Sequence, residues 1–127
     1  MNFKIPKETD KFSWTKHSID KMKYYGLPES RVKQVVLHPS RTEYGIAPET
    51  LASMKPRGTT KHTYEAWVMY QVIYSKPKLV LSGAKQKKFK IISAWKYPGI
   101  SPKGQEIPIP EEMRDELMEE LAKLKNG

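Results

Sequence analysis

HTYEAWVMYQVIY, residues 62–74, is the stretch that decides the fold. It is rich in β-branched and aromatic residues, which suit a pleated, half-buried strand. Successive side chains in a strand point to opposite faces. Ala66, Val68, Tyr70 and Val72 fall on one side; Trp67, Met69 and Ile73 fall on the other, with Gln71 among them. Both sides are largely apolar, so the strand is predicted to be central and covered on both faces. KKFKIISAW, residues 87–95, reads as a second strong strand. The connection between the two, KPKLVLSGAKQ, holds Pro77 and Gly83 and has some strand character at Leu79 to Leu81. Upstream, RTEYGI (41–46) and TLASM (50–54) are short strands split by the Ala47-Pro48 turn.

Helical patterns flank these strands. A helix is predicted over Lys16 to Tyr25, with Thr15 as N-cap and Gly26 just past its end. A second helix follows almost at once. Pro28 and Glu29 suit its first turn, Val32, Val35 and Val36 form one stripe, and Pro39 ends it after His38. The short link makes the two helices a hairpin. Residues 1–12 read as a frayed basic segment. YPGISPKGQEIPIP, residues 97–110, reads as an ordered extended loop. The last helix, EEMRDELMEELAKLK, aligns Met113, Leu117, Leu121 and Leu124. The expected fold class is therefore α+β: an antiparallel sheet of about four strands, with the helical hairpin on one face and the C-terminal helix on the other. One domain spans residues 1–127, with its core in 11–98 and the proline-rich loop plus acidic helix in 99–127.

Composition narrows the function classes. The 127 residues carry 23 Lys+Arg against 14 Asp+Glu, a formal charge of +9. The signs are segregated: residues 111–125 hold six acids and three bases, leaving +12 on the remainder. Such a body attracts polyanions through counterion release. Solubility alone is the plainer reading of the same charge. No apolar run is long enough to span a bilayer, and MNFKIPKETD lacks the apolar stretch of a secretory signal, so a cytoplasmic location and no membrane partner are expected. The absence of cysteine excludes disulfides, thiolate zinc sites and a cysteine nucleophile. His17, His38 and His62 are far apart with no paired-ligand spacing, so neither metal nor cofactor is expected.

Three groups of residues carry candidate chemistry. On the first helix, His17, Lys21 and Tyr24 line up at i, i+4 and i+7, away from the apolar side formed by Ser18, Ile19, Met22 and Tyr25. That line suits phosphate binding, with His17 moving a proton near neutral pH; a solvated helix face is the alternative. Arg41 and Glu43 share a strand face, as a phosphate holder and proton acceptor or simply as an ion pair. Lys88, Lys90 and Lys96 are expected on one strand face, with Trp67, Trp95 and Tyr97 nearby as rings to stack on bases. Core packing is the alternative for the tryptophans, and edge protection for the lysines.

Two segments resemble a family. WTKHSIDKMKYYGLPESRVKQVVLHPSRTE is similar to the opening of small RelE-superfamily proteins of the BrnT kind and their uncharacterised relatives, through His17, Lys21, Met22, Tyr25, Gly26 and Pro39. KKFKIISAWKYPG is similar to the family's late strand, a basic-Ile-Ile-Ser-Ala run followed by a basic residue. The resemblance implies a compact sheet with two helices on one face and a toxin-like, metal-independent endoribonuclease, held inactive by an acidic antitoxin-like partner. In that chemistry a base deprotonates the 2′-hydroxyl, cations stabilise the phosphorane and an acid protonates the leaving oxygen. His17 and Lys21 match the helix motif, and Lys96 stands near the basic position after Ser-Ala, where Trp95 intervenes. The catalytic set expected is His17, Lys21, Arg41 and Lys96, with RNA as partner. A non-catalytic nucleic-acid-binding module and an interaction domain for an acidic protein are the rivals. The C-terminal helix is either a packing element or an acidic lid over a basic groove.

Overall fold

The sheet forms because residues 62–74 are apolar on both sides and need two covering layers, with residues 86–98 paired alongside them. The computed structural model describes residues 3–75 and 86–126; the strand character expected at Leu79 to Leu81 lies outside them. The elements run β1 (Phe12–Trp14), α1 (Lys16–Tyr25), α2 (Glu29–Leu37), β2 (Arg41–Tyr44), β3 (Leu51–Gly58), β4 (Thr63–Ser75), β5 (Gln86–Pro98) and α3 (Glu111–Asn126). The strands lie in the order β1-β5-β4-β3-β2, with β1 parallel to β5 and the other pairs antiparallel.

The architecture is α+β, with two corrections to the expected sheet. It has five described strands rather than about four, and it is mixed rather than antiparallel. The extra strand, Phe12–Trp14, comes from the end of the segment expected to be frayed. Three residues are too few to show a period of two, and Phe12 is held by burial against Phe89, ring centroids 5.4 Å apart.

Local chemistry fixes the hairpin. The Thr15 hydroxyl accepts from the Ser18 N–H, capping α1. Gly26 takes a left-handed φ of 67°; its N–H donates to Lys23 O and that of Leu27 to Met22 O, a Schellman ending with Leu27 buried. α2 then starts after Pro28 and lays Val32, Val35 and Val36 on the sheet with Met22, Ala66, Val68, Tyr70 and Ile91.

The opposite face holds a second core of Ala52, Met54, Trp67, Met69, Ile92 and Trp95 under Ile107, Ile109, Met113, Leu117 and Leu121. At about 1.5–3 kcal/mol per buried aliphatic side chain, the five covering residues contribute roughly 7–15 kcal/mol. That is comparable to the whole stability of a typical domain, about 5–15 kcal/mol. The face under α3 is apolar rather than a basic groove, so the C-terminal helix is a core element.

A β-bulge in β5 reverses which side its later residues face. Met69 pairs with Ser93 but Tyr70 pairs with Ile91, leaving Ile92 without a partner. Before the bulge, Phe89 and Ile91 face the hairpin; after it, Ala94 faces the hairpin and Trp95 faces α3. Lys96, paired with Ala66 and two residues beyond Ala94, follows the hairpin side. Lys88 and Lys90 alternate with Phe89 and Ile91 and face the other way. The expectation that Lys88, Lys90 and Lys96 share one face is therefore corrected.

Candidate nucleic-acid interface

The residues expected to carry the chemistry occupy three separate places. The first is the seam between α1 and α3. β1 pairs with β5 only as far as Ile91, and α1 packs along β5 from there. His17 Nε2 lies 2.9 Å from Ser93 Oγ, and its Nδ1 lies 3.8 Å from Glu116 Oε2, too far for a hydrogen bond. Lys21 Nζ reaches the same carboxylate at 3.0 Å. His17 is buried, which corrects its expected place on an open helix face: α3 packs where solvent was expected. Burial holds its pKa below the ordinary value; Glu120 opposes this, Lys21 reinforces it, and Glu116 and Asp20 oppose it more weakly. The hydrogen bond to Lys21, with its charge, holds the Glu116 carboxyl below its ordinary range. Tyr25 donates to Glu112 at 3.3 Å and is pushed up to about 12, by burial first and then by that carboxylate. The seam therefore holds an imidazole whose neutral form is favoured by burial and whose Nε2 is already engaged with Ser93.

The second place lies under the loop that follows β5. Arg41, Met54, Trp67 and Trp95 form one cross-strand row. The two indoles are parallel within 3°, centroids 6.1 Å apart, and the Arg41 guanidinium sits 5.0 Å from the Trp67 ring. Both tryptophans are fully buried, so they are core residues, which corrects their expected role as base-stacking rings. Tyr97 packs against the same core. Arg41 Nη1 donates to the carbonyl and hydroxyl of Ser101, both at 3.3 Å, and Arg41 Nε lies 3.5 Å from Glu43 Oε1. The buried Glu65 carboxylate accepts from Ser101 Oγ (2.6 Å), Ser101 N (3.1 Å) and Trp67 Nε1 (3.0 Å). This network pins the loop to the sheet. Of the two lysines before the bulge, Lys88 pairs with Glu8 at 3.2 Å and Lys90 lies opposite Gln71 in the sheet.

The third place is the hairpin side of the sheet at the far end of β5. Lys96 Nζ lies 4.6 Å from the centre of the Tyr64 ring. Three cations that the sequence reading did not single out join it there. Lys55 pairs with Ala66, which pairs with Lys96, so the two lysines flank a small alanine in one row, about 10 Å apart at two strand spacings. Arg57 lies directly opposite Tyr64. Arg31, from α2, donates to the Tyr64 hydroxyl at 3.2 Å. Arg57 Nη2 is held by Gln34 Oε1, while its buried Nε has no partner.

All four cations are half-buried, and among the described residues no carboxylate lies within ion-pair distance of any of them. Two strands and a helix thus bring four cations, without a described carboxylate partner, to the hairpin side of the sheet around Tyr64. Packed side chains already restrict these cations, so an anion binding there orders less than it would on free surface lysines. Among the described residues no three His, Asp or Glu side chains are grouped to hold a metal, and no helix is long and apolar enough to cross a membrane. Comparison with family models, with curated proteins and with solved structures finds no match for this chain.

Proposed function

We propose that this protein binds RNA, gripping phosphate with Arg31, Lys55, Arg57 and Lys96 on the hairpin side of the sheet around Tyr64. One observation carries the reading: four half-buried cations lie on neighbouring positions around Tyr64, two of them touching it, with no described carboxylate within ion-pair distance of any of them. The +12 charge outside the C-terminal helix adds long-range attraction for a polyanion. The resemblance of residues 14–43 and 87–99 to RelE-superfamily proteins of the BrnT kind favours RNA over DNA.

The test is RNA binding measured against salt. Each phosphate neutralised on a single strand contributes about −0.7 to the slope of log K against log salt, so four contacts give about −3. Lys55→Ala with Lys96→Ala should flatten that slope by about half. Weak, salt-insensitive binding to every nucleic acid would favour an acidic protein partner instead.

A metal-independent ribonuclease of the toxin type is the second reading. Tyr64 favours it, as a hydroxyl contacted by Arg31 amid the cations. In this reading labelled RNA is cut in the presence of EDTA and spared by Tyr64→Phe. Binding without cleavage leaves a non-catalytic module.

A further inference from the structure

We propose that Ile100 is the base-contacting element of the RNA interface, which therefore takes single-stranded RNA with an unstacked base rather than a duplex. The proposal rests on the nucleic-acid reading above and specifies the class of RNA. Ile100 is 79% exposed, more than any other described Ile, Leu or Met side chain. Exposure alone means little, because single apolar side chains are common on protein surfaces. What sets Ile100 apart is the backbone on either side of it. Gly99 takes a left-handed φ of 81°, and its N–H donates to Thr63 O. Ser101 is buried: its N–H and hydroxyl donate to Glu65, and its carbonyl and hydroxyl accept from Arg41. Pro98 and Pro102 fix φ just outside this pair. A buried clasp thus holds an apolar tip out in water.

The tip stands at the end of β5 that carries the cations. Lys96 pairs with Ala66 and Pro98 with Tyr64, and Ile100 follows two residues later. At no more than about 3.6 Å per residue, its Cα lies within roughly 14 Å of that of Lys96. Stacked nucleotides rise about 3.4 Å each, so a strand whose phosphates meet Lys96 carries bases within reach of Ile100. The two kinds of side chain do different work. Cations hold the backbone of any nucleic acid, whereas an isoleucine gains only by covering an apolar face. In a duplex each base face is covered by its neighbours, while single strands and loops of RNA splay their bases out. Because the turn is already ordered, burying Ile100 against a base costs little further entropy.

The experiment compares the full wild-type chain with Ile100→Ser by fluorescence anisotropy. The probes are a single-stranded RNA, the same strand with abasic sites in place of its bases, and its duplex. Ile100→Ser should weaken binding of the single strand about tenfold, with the slope of log K against log salt unchanged because no phosphate contact is lost. The abasic strand and the duplex should each bind wild type and variant alike. If the variant does not fold, the wild-type chain alone decides, and abasic RNA should bind it about tenfold more weakly than the intact strand. Equal affinity of wild type and variant for the single strand, or of wild type for intact and abasic strands, would overturn the proposal. With steep salt dependence retained, either result leaves the RNA-binding reading standing. A loss on the duplex as large as on the single strand would also overturn it. No salt-sensitive binding to any probe would overturn both.

Discussion

Glu65 shows at the level of one residue why a buried charge in this chain is held so firmly. Its carboxylate is almost wholly enclosed, yet it accepts three hydrogen bonds, from Trp67 and twice from Ser101. Arg41 reaches the same serine from the other side. Removing one member of such a set leaves the others buried and unpaired. Glu65→Ala should cost about 1–3 kcal/mol for each buried donor it leaves unpaired, and Ser101→Ala about 1–3 kcal/mol, both read from urea unfolding. Glu65→Ala within 1 kcal/mol of wild type would show that water satisfies the site. Sequence reading could not find this network, because nothing marks Glu65 apart from other acids until β4 turns it inward. The cations Lys55 and Arg57 were hidden for a different reason. Pro56 lacks an N–H and suggests that the strand ends at Met54, but β3 runs on to Gly58. It can do so because β2 pairs only as far as Met54, leaving Pro56 on a free edge. Lys96 was singled out from the sequence, but its neighbours depend on the bulge at Ile92, which shifts the alternation by one residue.

Among the elements, α3 and its seam with α1 carry the largest consequences. The helix covers the two stacked tryptophans, so deleting residues 111–127 should abolish cooperative unfolding, observed as loss of the thermal transition. Leu117→Ala should cost about 2–5 kcal/mol, as for other large-to-small core substitutions. A deletion that stays folded and binds RNA more tightly would restore the lid. The seam also sets a pH response. His17 has a depressed pKa in the fold, so below its ordinary value of 6.5 the unfolded chain binds more protons than the folded one. Its contribution to stability is present in full above that pH and is lost as the pH falls through and below it. Glu116, also depressed, loses its contribution below 4.5, further down the same acid limb. Unfolding free energy should therefore fall as the pH drops from 6.5, and His17→Gln should flatten that decline. An unchanged profile would mean that His17 titrates alike in both states. Both helices of the hairpin and the apolar stripe of α3 were legible from period and caps, because each signal is local. β1 was not, because its only support is a parallel partner more than seventy residues away.

For the whole molecule, the two-layer cover on one mixed sheet divides the labour. The α3 side is closed with apolar side chains and a buried polar clasp, while the hairpin side carries four cations around Tyr64 at the far end of β5. This division reassigns the residues expected to act together: His17 and Lys21 lie in the seam, Arg41 under the loop, and only Lys96 beside Tyr64. The most direct measurement of where RNA sits is an amide and side-chain chemical-shift map on titrating a short single-stranded RNA into labelled protein. The largest perturbations should fall on Arg31, Lys55, Arg57, Tyr64 and Lys96, with little change at His17, Arg41 or Trp95. Perturbations centred on Lys88 and Lys90 instead, or none at all, would contradict the account.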